Sequence, residues 1–316
     1  IEHGNKRDVL KLYLFIINIT FTYMNNISAK QLRYFLALAK HKNFQKAADE
    51  CAISQPALSM KIKELEGILG QLIERGSKKF YLTQTGQALI SKAETIIQSF
   101  DDLKHITNQG SKINKLSIGV IPTVAPYLLP RVIKSITKKY ADIVIEPKET
   151  VTEKLISYLI SGKVDLAILA LPTHEPLLSE MPLFEEEFLL IRHINDANKP
   201  VPNNKELTNM KLLLLEEGHC LRSQTLSFCK VTTVPKNIME GTTLTTLVQM
   251  VSAGIGVTLL PEIAIPFETR STKVSVSRFT HQKPKRTIGL VWRKSNPLHS
   301  QFNDIGLILK NLNKLN

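Results

Sequence analysis

The chain has 316 residues, which is more than one typical domain and enough for two or three. Hydrophobic residues make up 43% and charged residues 22%, so the composition is that of a globular protein with buried cores and excludes a disordered or fibrous chain. The net charge of +13 favours a polyanionic partner, nucleic acid first and a membrane surface second. Residues 1–110 hold 15 basic and 10 acidic side chains and the remainder hold 26 and 18, so charge alone does not locate a site.

The N-terminal stretch Val9–Tyr23 is apolar and follows two basic residues. It is about 15 residues long, short of the roughly 20 that a membrane-spanning helix needs, and no small-residue cleavage site follows it. We therefore expect no membrane association. Met24 is the expected natural start, with residues 1–23 an upstream extension; a genuine extension of the protein and a targeting signal are the alternatives.

Three helices are predicted from Ser28 onward, because apolar residues recur there at helical spacing. Asn43 is suited to cap the second helix and Ser54 the third, with Pro56 in its first turn, where proline is tolerated. A short break at Ala52–Ile53 separates the second helix from the third, which is the pattern of a helix-turn-helix. An ordinary three-helix bundle is the alternative.

In a helix-turn-helix, the start of the second of these two helices enters the DNA major groove. Glutamine can bond two edge atoms of adenine, serine can reach phosphate or base, and lysine neutralises phosphate. The candidate DNA contacts there are Ser54, Gln55, Pro56, Ser59 and Lys61. A hairpin of Leu72–Arg75 and Lys79–Leu82 follows, and it reads as a basic wing whose Arg75 and Lys78 contact the DNA backbone. A solvated charge run is the alternative for the wing.

The run AADECAISQPALSMKIKELEGILGQLIERGSKKFYLTQTG, residues 47–86, resembles the signature of LysR-type transcriptional regulators. The resemblance implies a winged helix-turn-helix domain over residues 24–84, binding to double-stranded promoter DNA, and contact with RNA polymerase. The run departs from the family pattern at Ile73, where phenylalanine is usual. It also departs at Lys78, where arginine is usual and could form a bidentate contact.

Residues 85–110 are predicted to form a linker helix that dimerises. Its apolar residues are spaced four, three, four and three apart, close to the 3.5-residue repeat of a coiled coil. They are Leu89, Ala93, Ile96, Phe100 and Leu103. The pattern favours a homodimer, or a dimer of dimers, that reads two half-sites on DNA. The alternative is a core helix of a larger domain.

Beyond Lys115 the sequence alternates apolar strands with helices, which indicates an α/β domain. We predict an effector domain over 115–316 whose two halves resemble the periplasmic-binding-protein-like domain of the same family. Subdomain I is expected at 115–184 and 289–316 and subdomain II at 185–288, with crossings near Phe184–Phe188 and Lys285–Gly289.

The three cysteines are Cys51, Cys220 and Cys229. This number suits neither a secreted disulfide-rich fold nor a zinc finger, so we expect a cytoplasmic protein with no metal and no cofactor. Cys220 lies at a predicted helix start near His219 and Arg222, where a thiolate is favoured, and Cys229 lies among apolar residues. Spacing alone favours ordinary buried cysteines for both, and Cys51 is interpreted as structural.

The segment GHCLRSQTLSFC, residues 218–229, resembles the redox segment of the peroxide-sensing members of the family. The resemblance implies that Cys220 is the peroxidatic cysteine and Cys229 the resolving one, and that an external thiol reductant resets the pair. It assigns peroxide binding and thiol activation to Thr123, Thr152, His219 and Arg222. Threonines 123 and 152 are otherwise ordinary caps or turn residues. The sequence departs from those members at Ser223, where an acidic residue is expected, and at Ile238, where histidine is expected.

If residues 220–229 are helical, nine steps of about 1.5 Å separate the two Cα atoms by roughly 13.5 Å. A disulfide needs roughly 4.4–6.8 Å, so the bond requires the helix to unwind. The expected function is that of a transcription regulator, not an enzyme, which senses hydrogen peroxide and controls oxidative-stress genes. A LysR-type regulator that responds to a small metabolite is the alternative; a thiol peroxidase and an exported solute-binding protein fit the DNA-binding region poorly.

Overall fold

The computed structural model describes residues 27–75, 80–106, 113–229, 239–280 and 282–312. The chain divides into two compact units, residues 1–107 and 108–316. In the described part of the chain, every helix is too short or too polar to cross a membrane.

The first unit begins with three helices: α1 Ala29–His41, α2 Phe44–Glu50 and α3 Gln55–Leu69. The predicted caps are confirmed: the side chain of Asn43 accepts the N–H of Lys46, and that of Ser54 accepts the N–H of Ala57. Each cap satisfies a backbone donor that the first helical turn leaves without a partner. The helices bury a shared apolar core, whose fully buried side chains include Phe35, Leu38, Leu58, Ile62 and Leu65.

A two-stranded antiparallel hairpin follows α3, as predicted, with β1 at Ile73–Arg75 and β2 at Phe80–Leu82. Glu66 fixes its start, because one carboxylate oxygen accepts the N–H groups of Leu72 and Ile73, both at 3.0 Å. At its end the Thr83 hydroxyl donates to the carbonyl of Gln71 at 2.8 Å. The residues that carry the family signature therefore hold the wing against the helices.

Helix α4, Gln84–Ile106, completes the first unit. It begins one residue before the predicted start at residue 85. Gly86 is required at this position, since a Cβ atom there would lie 2.2 Å from the carbonyl oxygen of Leu72. The hydroxyl of Thr83 accepts the N–H of Gly86 at 3.0 Å and so joins the wing to the start of α4.

In the second unit, subdomain I is an α/β layer around a sheet with the order β4-β3-β5-β11-β6. The strands are β3 Lys115–Val120, β4 Val144–Glu149, β5 Leu166–Leu171, β6 Leu178–His193 and β11 Lys285–Arg293. The helices are α5 Ala125–Lys139, α6 Thr152–Ile160 and α11 His299–Leu312. Strands β3, β4 and β5 run parallel, as alternating strands and helices predict. Helix α5 has Pro126 in its first turn, where proline does not break a helix.

Subdomain II is built around the far end of β6. It contains helices α7 Asn204–Thr208, α8 Cys220–Phe228, α9 Leu244–Ser252 and α10 Ile265–Glu268. Its strands are β7 Leu213–Leu215, β8 Met239–Gly241, β9 Thr258–Pro261 and β10 Val274–Ser277. Strands β9 and β10 pair antiparallel with β6, and β7 pairs in parallel with β8.

The sixteen-residue strand β6 links the two subdomains. It pairs with β11 up to Glu187 and with β9 from Phe188 onward. Beside this change of partner lies a buried ion pair, in which Arg286 of β11 contacts Glu186 of β6 at 2.7 Å. Glu186 also accepts the N–H of Ile263 at 3.0 Å. A buried pair of this kind is strongly destabilised by loss of either partner, so it fixes the junction between the subdomains.

Candidate functional site

The N-terminal half of α3 carries the residues that were predicted to contact DNA. Ser54, Gln55 and Pro56 are exposed at the helix start, whereas Ser59 and Lys61 are half-buried. Lys61 pairs with Glu64 at 2.9 Å, so part of its charge is neutralised within the helix. In the wing Arg75 ends β1, and Lys78 lies outside the described residues.

Two exposed residues of this helix, Met60 and Lys63, were not among the predicted DNA contacts. Both lie on the face opposite the buried Leu58, Ile62 and Leu65. The 3.6-residue period of that apolar series would have identified them, because it leaves positions 60 and 63 on the outward face.

The predicted dimer seam on α4 divides into two parts. Ala93 is fully buried and packs with Leu32 of α1, and Leu89 packs on the same cluster. The assignment of Ala93 to a dimer seam is wrong, because its side chain is fully buried within its own unit, whereas Leu89 is only partly buried. The C-terminal residues remain exposed: Ile96 at 44%, Phe100 at 48% and Leu103 at 54%. The heptad spacing is present in α4, but the side chain of Ala93 packs within its own unit.

A turn at Gly218 leads into the helix α8, which spans Cys220–Phe228. Gly218 has a left-handed backbone with φ at +91°, which glycine adopts without steric cost, and it lies against Val151 at the N-terminus of α6. His219 is the N-cap residue, Cys220 is the first helical residue, and Cys229 is the C-cap. Both thiols are free in this structure.

The two thiols lie in different hydrophobic cores. Cys220 is half-buried and packs against the core of subdomain I, whereas Cys229 is 2% exposed and belongs to the core of subdomain II. Nine residues at about 100° each rotate the chain by two and a half turns, so the two side chains leave α8 on opposite faces. Burial raises the pKa of Cys229 from 9.0 to about 11. At neutral pH Cys229 is therefore a thiol and a poor nucleophile.

His219 directly precedes Cys220 in the sequence, and its imidazole is partly buried. Burial lowers the pKa of His219 below its usual value, and the nearby carboxylate of Glu216 opposes this shift. The imidazole is thus neutral at pH 7 and can accept a proton from a neighbouring thiol.

Arg222 was predicted to activate Cys220, and the structure places it elsewhere. Its guanidinium donates to the carbonyl of Leu215 at 2.9 Å and pairs with Glu240 at 2.7 Å, in subdomain II. Two residues along a helix correspond to a rotation of about 200°, so Arg222 faces away from Cys220. Its contacts anchor α8 to β7 and β8.

The two predicted threonines differ in their partners. The hydroxyl of Thr123 accepts from Arg286 at 2.8 Å, in the same buried network that holds Glu186. The hydroxyl of Thr152, at the start of α6 beside Gly218, is buried and lacks a hydrogen-bond partner among the described residues. The amide oxygen of Gln224 is also buried and lacks a partner there. It lies one turn after Cys220, on the same helix face.

A buried hydroxyl and a buried amide oxygen without partners are each costly unless something binds them. Gln224, Arg286 and Glu186 were not predicted from the sequence. Gln224 could have been identified from its spacing, because a residue four positions after Cys220 lies on the same face of a helix. Among the described residues, no group of three or more His, Cys, Asp or Glu side chains is arranged to hold a metal ion.

Comparison with known proteins identifies the family to which the two units of this chain belong. Residues 29–87 match the family described as bacterial regulatory helix-turn-helix protein, lysR family, and residues 109–310 match the LysR substrate binding domain. The chain belongs to the LysR family of DNA-binding transcription regulators. This confirms the fold class predicted from the sequence, a winged helix-turn-helix followed by a periplasmic-binding-protein-like α/β domain.

Within the family, the chain is similar to regulators called OxyR. It is 39% identical over 285 residues to the DNA-binding transcriptional dual regulator OxyR of Escherichia coli (strain K12), covering 88% of this chain and 93% of that protein. A full-length OxyR variant from Pseudomonas aeruginosa superposes with a TM-score of 0.72 at 29% identity, covering 90% of this chain and 95% of that one. A hydrogen-peroxide-bound OxyR variant from Corynebacterium glutamicum gives 0.61 at 32% identity, covering 92% and 93%.

Proposed function

We propose that this protein is a hydrogen-peroxide sensor that regulates transcription, with Cys220 as the reactive thiol and Cys229 as the resolving thiol. The observation that carries the proposal is the placement of the two thiols on opposite faces of α8, in two different cores. The likeness to OxyR and to relatives called hydrogen peroxide-inducible genes activators supports it.

The chemistry proceeds in two balanced steps. The Cys220 thiolate attacks one oxygen of hydrogen peroxide, the O–O bond breaks, and the leaving hydroxide takes up a proton as water, which leaves a sulfenic acid. The neutral His219 imidazole is suited to take the thiol proton, and Thr152 and Gln224 offer the unpartnered oxygens that would hold peroxide. The Cys229 sulfur then displaces the sulfenic oxygen as water and forms the S–S bond. An external dithiol returns two electrons and resets the pair.

The conformational consequence follows from the distance. With α8 intact the two Cα atoms are about 13.5 Å apart, more than twice the usual disulfide separation. The helix must unwind, Cys220 must leave the core of subdomain I, and Cys229 must leave that of subdomain II. Because Arg222 anchors the same helix to β7 and β8, the rearrangement extends to those strands. A shift of this kind in a dimer or dimer of dimers would respace the DNA-binding units and alter contact with RNA polymerase.

The assignment predicts a cytoplasmic regulator that consumes one peroxide per switching event, with no metal and no cofactor. The proposed domains are the DNA-binding domain at 24–84, the linker helix at 85–110 and the effector domain at 115–316.

Footprinting on the promoter of its own gene tests the proposal. We expect reduced and peroxide-treated protein to protect different lengths or registers of DNA, and Cys220→Ser to give the reduced pattern under both conditions. Cys51→Ser is the matched control and should switch as the wild type does. If Cys220→Ser still switches with peroxide, the assignment is wrong. If no form responds to peroxide but a metabolite changes the footprint, the regulator senses that metabolite instead.

A further inference from the structure

Met60 is an exposed apolar residue on the outward face of α3. That helix buries Leu58, Ile62 and Leu65, and the opposite face of such a helix is normally polar. The side chain of Met60 is nevertheless 56% exposed. It does not belong to the hydrophobic core of its own unit among the residues that the structure describes.

The neighbours of Met60 give this face a defined pattern. Pro56 lies one turn before it and is also exposed, so the two residues form an apolar strip along the helix. Gln55, Ser59 and Lys63 form a polar strip beside it at the same spacing. Five helical steps of about 1.5 Å place Met60 roughly 7.5 Å along the axis from Gln55. Both residues therefore fit within one major groove, which is about 12 Å wide.

The chemistry of the Met60 side chain limits which groups of DNA it can contact favourably. A thioether is a weak acceptor and carries no charge, so it neither neutralises phosphate nor bonds firmly to a base edge. The apolar feature that the major groove presents is the 5-methyl group of thymine. An unbranched side chain with three rotatable bonds adapts readily to such a group.

We infer that Met60 is a specificity-determining residue of the DNA interface, which contacts a thymine methyl group through its exposed thioether. The inference rests on the DNA-binding role of the LysR-family helix-turn-helix and does not depend on peroxide sensing. Removing one methyl group from the contact corresponds to about a fourfold loss of affinity.

The test uses reduced full-length protein and a randomised duplex library, amplified once with dTTP and once with dUTP. The two libraries have the same base-pairing sequences and differ in the thymine methyl groups. From the dTTP library, we expect the wild type to select thymine at one position of each half-site. In the dUTP library, the preference at that position should be about fourfold weaker. Met60→Ala should lack the preference at that position in both libraries, while Met60→Leu retains it.

Ser59→Ala is the matched control, because the residue is adjacent and polar. It should alter other positions of the motif and keep the discrimination between thymine and uracil. An unchanged melting temperature of Met60→Ala shows that the variant is folded. The inference fails if Met60→Ala selects the wild-type motif, if it weakens all sequences alike, or if the wild type ignores the methyl groups. A wild type that selects no sequence at all refutes the DNA-binding role as well, whereas peroxide-dependent switching is measured separately with Cys220→Ser.

Discussion

The two ends of helix α8 differ in almost every property that governs thiol chemistry. Cys220 begins the helix, is half-buried and packs on subdomain I beside a neutral imidazole. Cys229 ends it, is almost fully buried in subdomain II and has a raised pKa. On the proposed assignment, one helix therefore separates the peroxide-reactive thiol from the resolving thiol. The difference teaches that, on this assignment, a disulfide between the two thiols would require a conformational change as well as reaction of the second thiol.

The largest expected effect comes from removing the proposed resolving thiol, Cys229. Cys229→Ser should abolish the intramolecular disulfide completely, because Cys51 lies in the other unit and belongs to its core. The sulfenic acid on Cys220 should then persist long enough for dimedone to trap it, as seen by the added mass on that residue. Cys220→Ser is the control and should give no adduct. An adduct on Cys229 in that control would reverse the assignment of the two roles.

The junction between the two cores is the next point to test. Glu186→Gln leaves Arg286 buried without a compensating charge, and we expect a loss of about 3–5 kcal/mol in the free energy of unfolding. Glu185→Gln is the matched control, since the adjacent Glu185 pairs with Lys285 in exposed surroundings and should cost about 1 kcal/mol or less. Urea unfolding followed by the fluorescence of the buried Trp292, the sole tryptophan of the chain, measures both. Equal losses for the two variants would contradict the role given to the buried pair.

The raised pKa of Cys229 predicts slow alkylation. A shift from 9.0 to about 11 lowers the thiolate population at neutral pH about hundredfold. We expect iodoacetamide to label Cys229 at least that much more slowly in the folded protein than in guanidinium, where the same residue is the control. The thiol form is also the one that the fold favours, so this contribution to stability is present below pH 9 and is lost as pH rises towards 11. Labelling at the same rate in both states would refute the burial argument.

The smallest expected effect concerns His219. Burial lowers its pKa, so the unfolded chain takes up a proton near pH 6.5 before the folded chain does. Stability should therefore fall slightly as pH drops below about 6.5, until the lowered pKa of the folded state is passed. His219→Gln should remove that part of the pH dependence in the same urea experiment. A histidine signal that titrates at or above 6.5 by NMR in the folded protein would show that the imidazole is charged more readily than the account requires.

Local signals in the sequence predicted much of this molecule. The caps Asn43 and Ser54, the wing, and the helix between the two cysteines follow from turn chemistry and periodicity, and the structure confirms them. The winged helix-turn-helix and the α/β effector domain are likewise confirmed. Local signals succeed here because each of these elements is determined by residues within about one or two turns of one another.

Contacts between distant residues were not predictable in the same way. Glu186 and Arg286 are 100 positions apart, and the threonine that Arg286 holds is 163 positions away. Ala93 fits a heptad seam, but it packs against Leu32 of α1 and is fully buried in the folded unit. Arg222 is near Cys220 in sequence, yet the helix turns it towards Glu240. In each case the local pattern was correct, and the tertiary neighbour decided what the residue does.

The most direct test of the central claim is to locate the oxidised cysteines by mass spectrometry. Trypsin cleaves after Lys211, Arg222 and Lys230, so Cys220 and Cys229 fall on different peptides. After brief treatment with equimolar peroxide and alkylation of free thiols, a non-reduced digest should contain peptide 212–222 linked to peptide 223–230. Cys51 should be alkylated, and the chain should remain a monomer on a non-reducing gel. Oxidation of Cys51 first, or a disulfide between chains, would contradict the account.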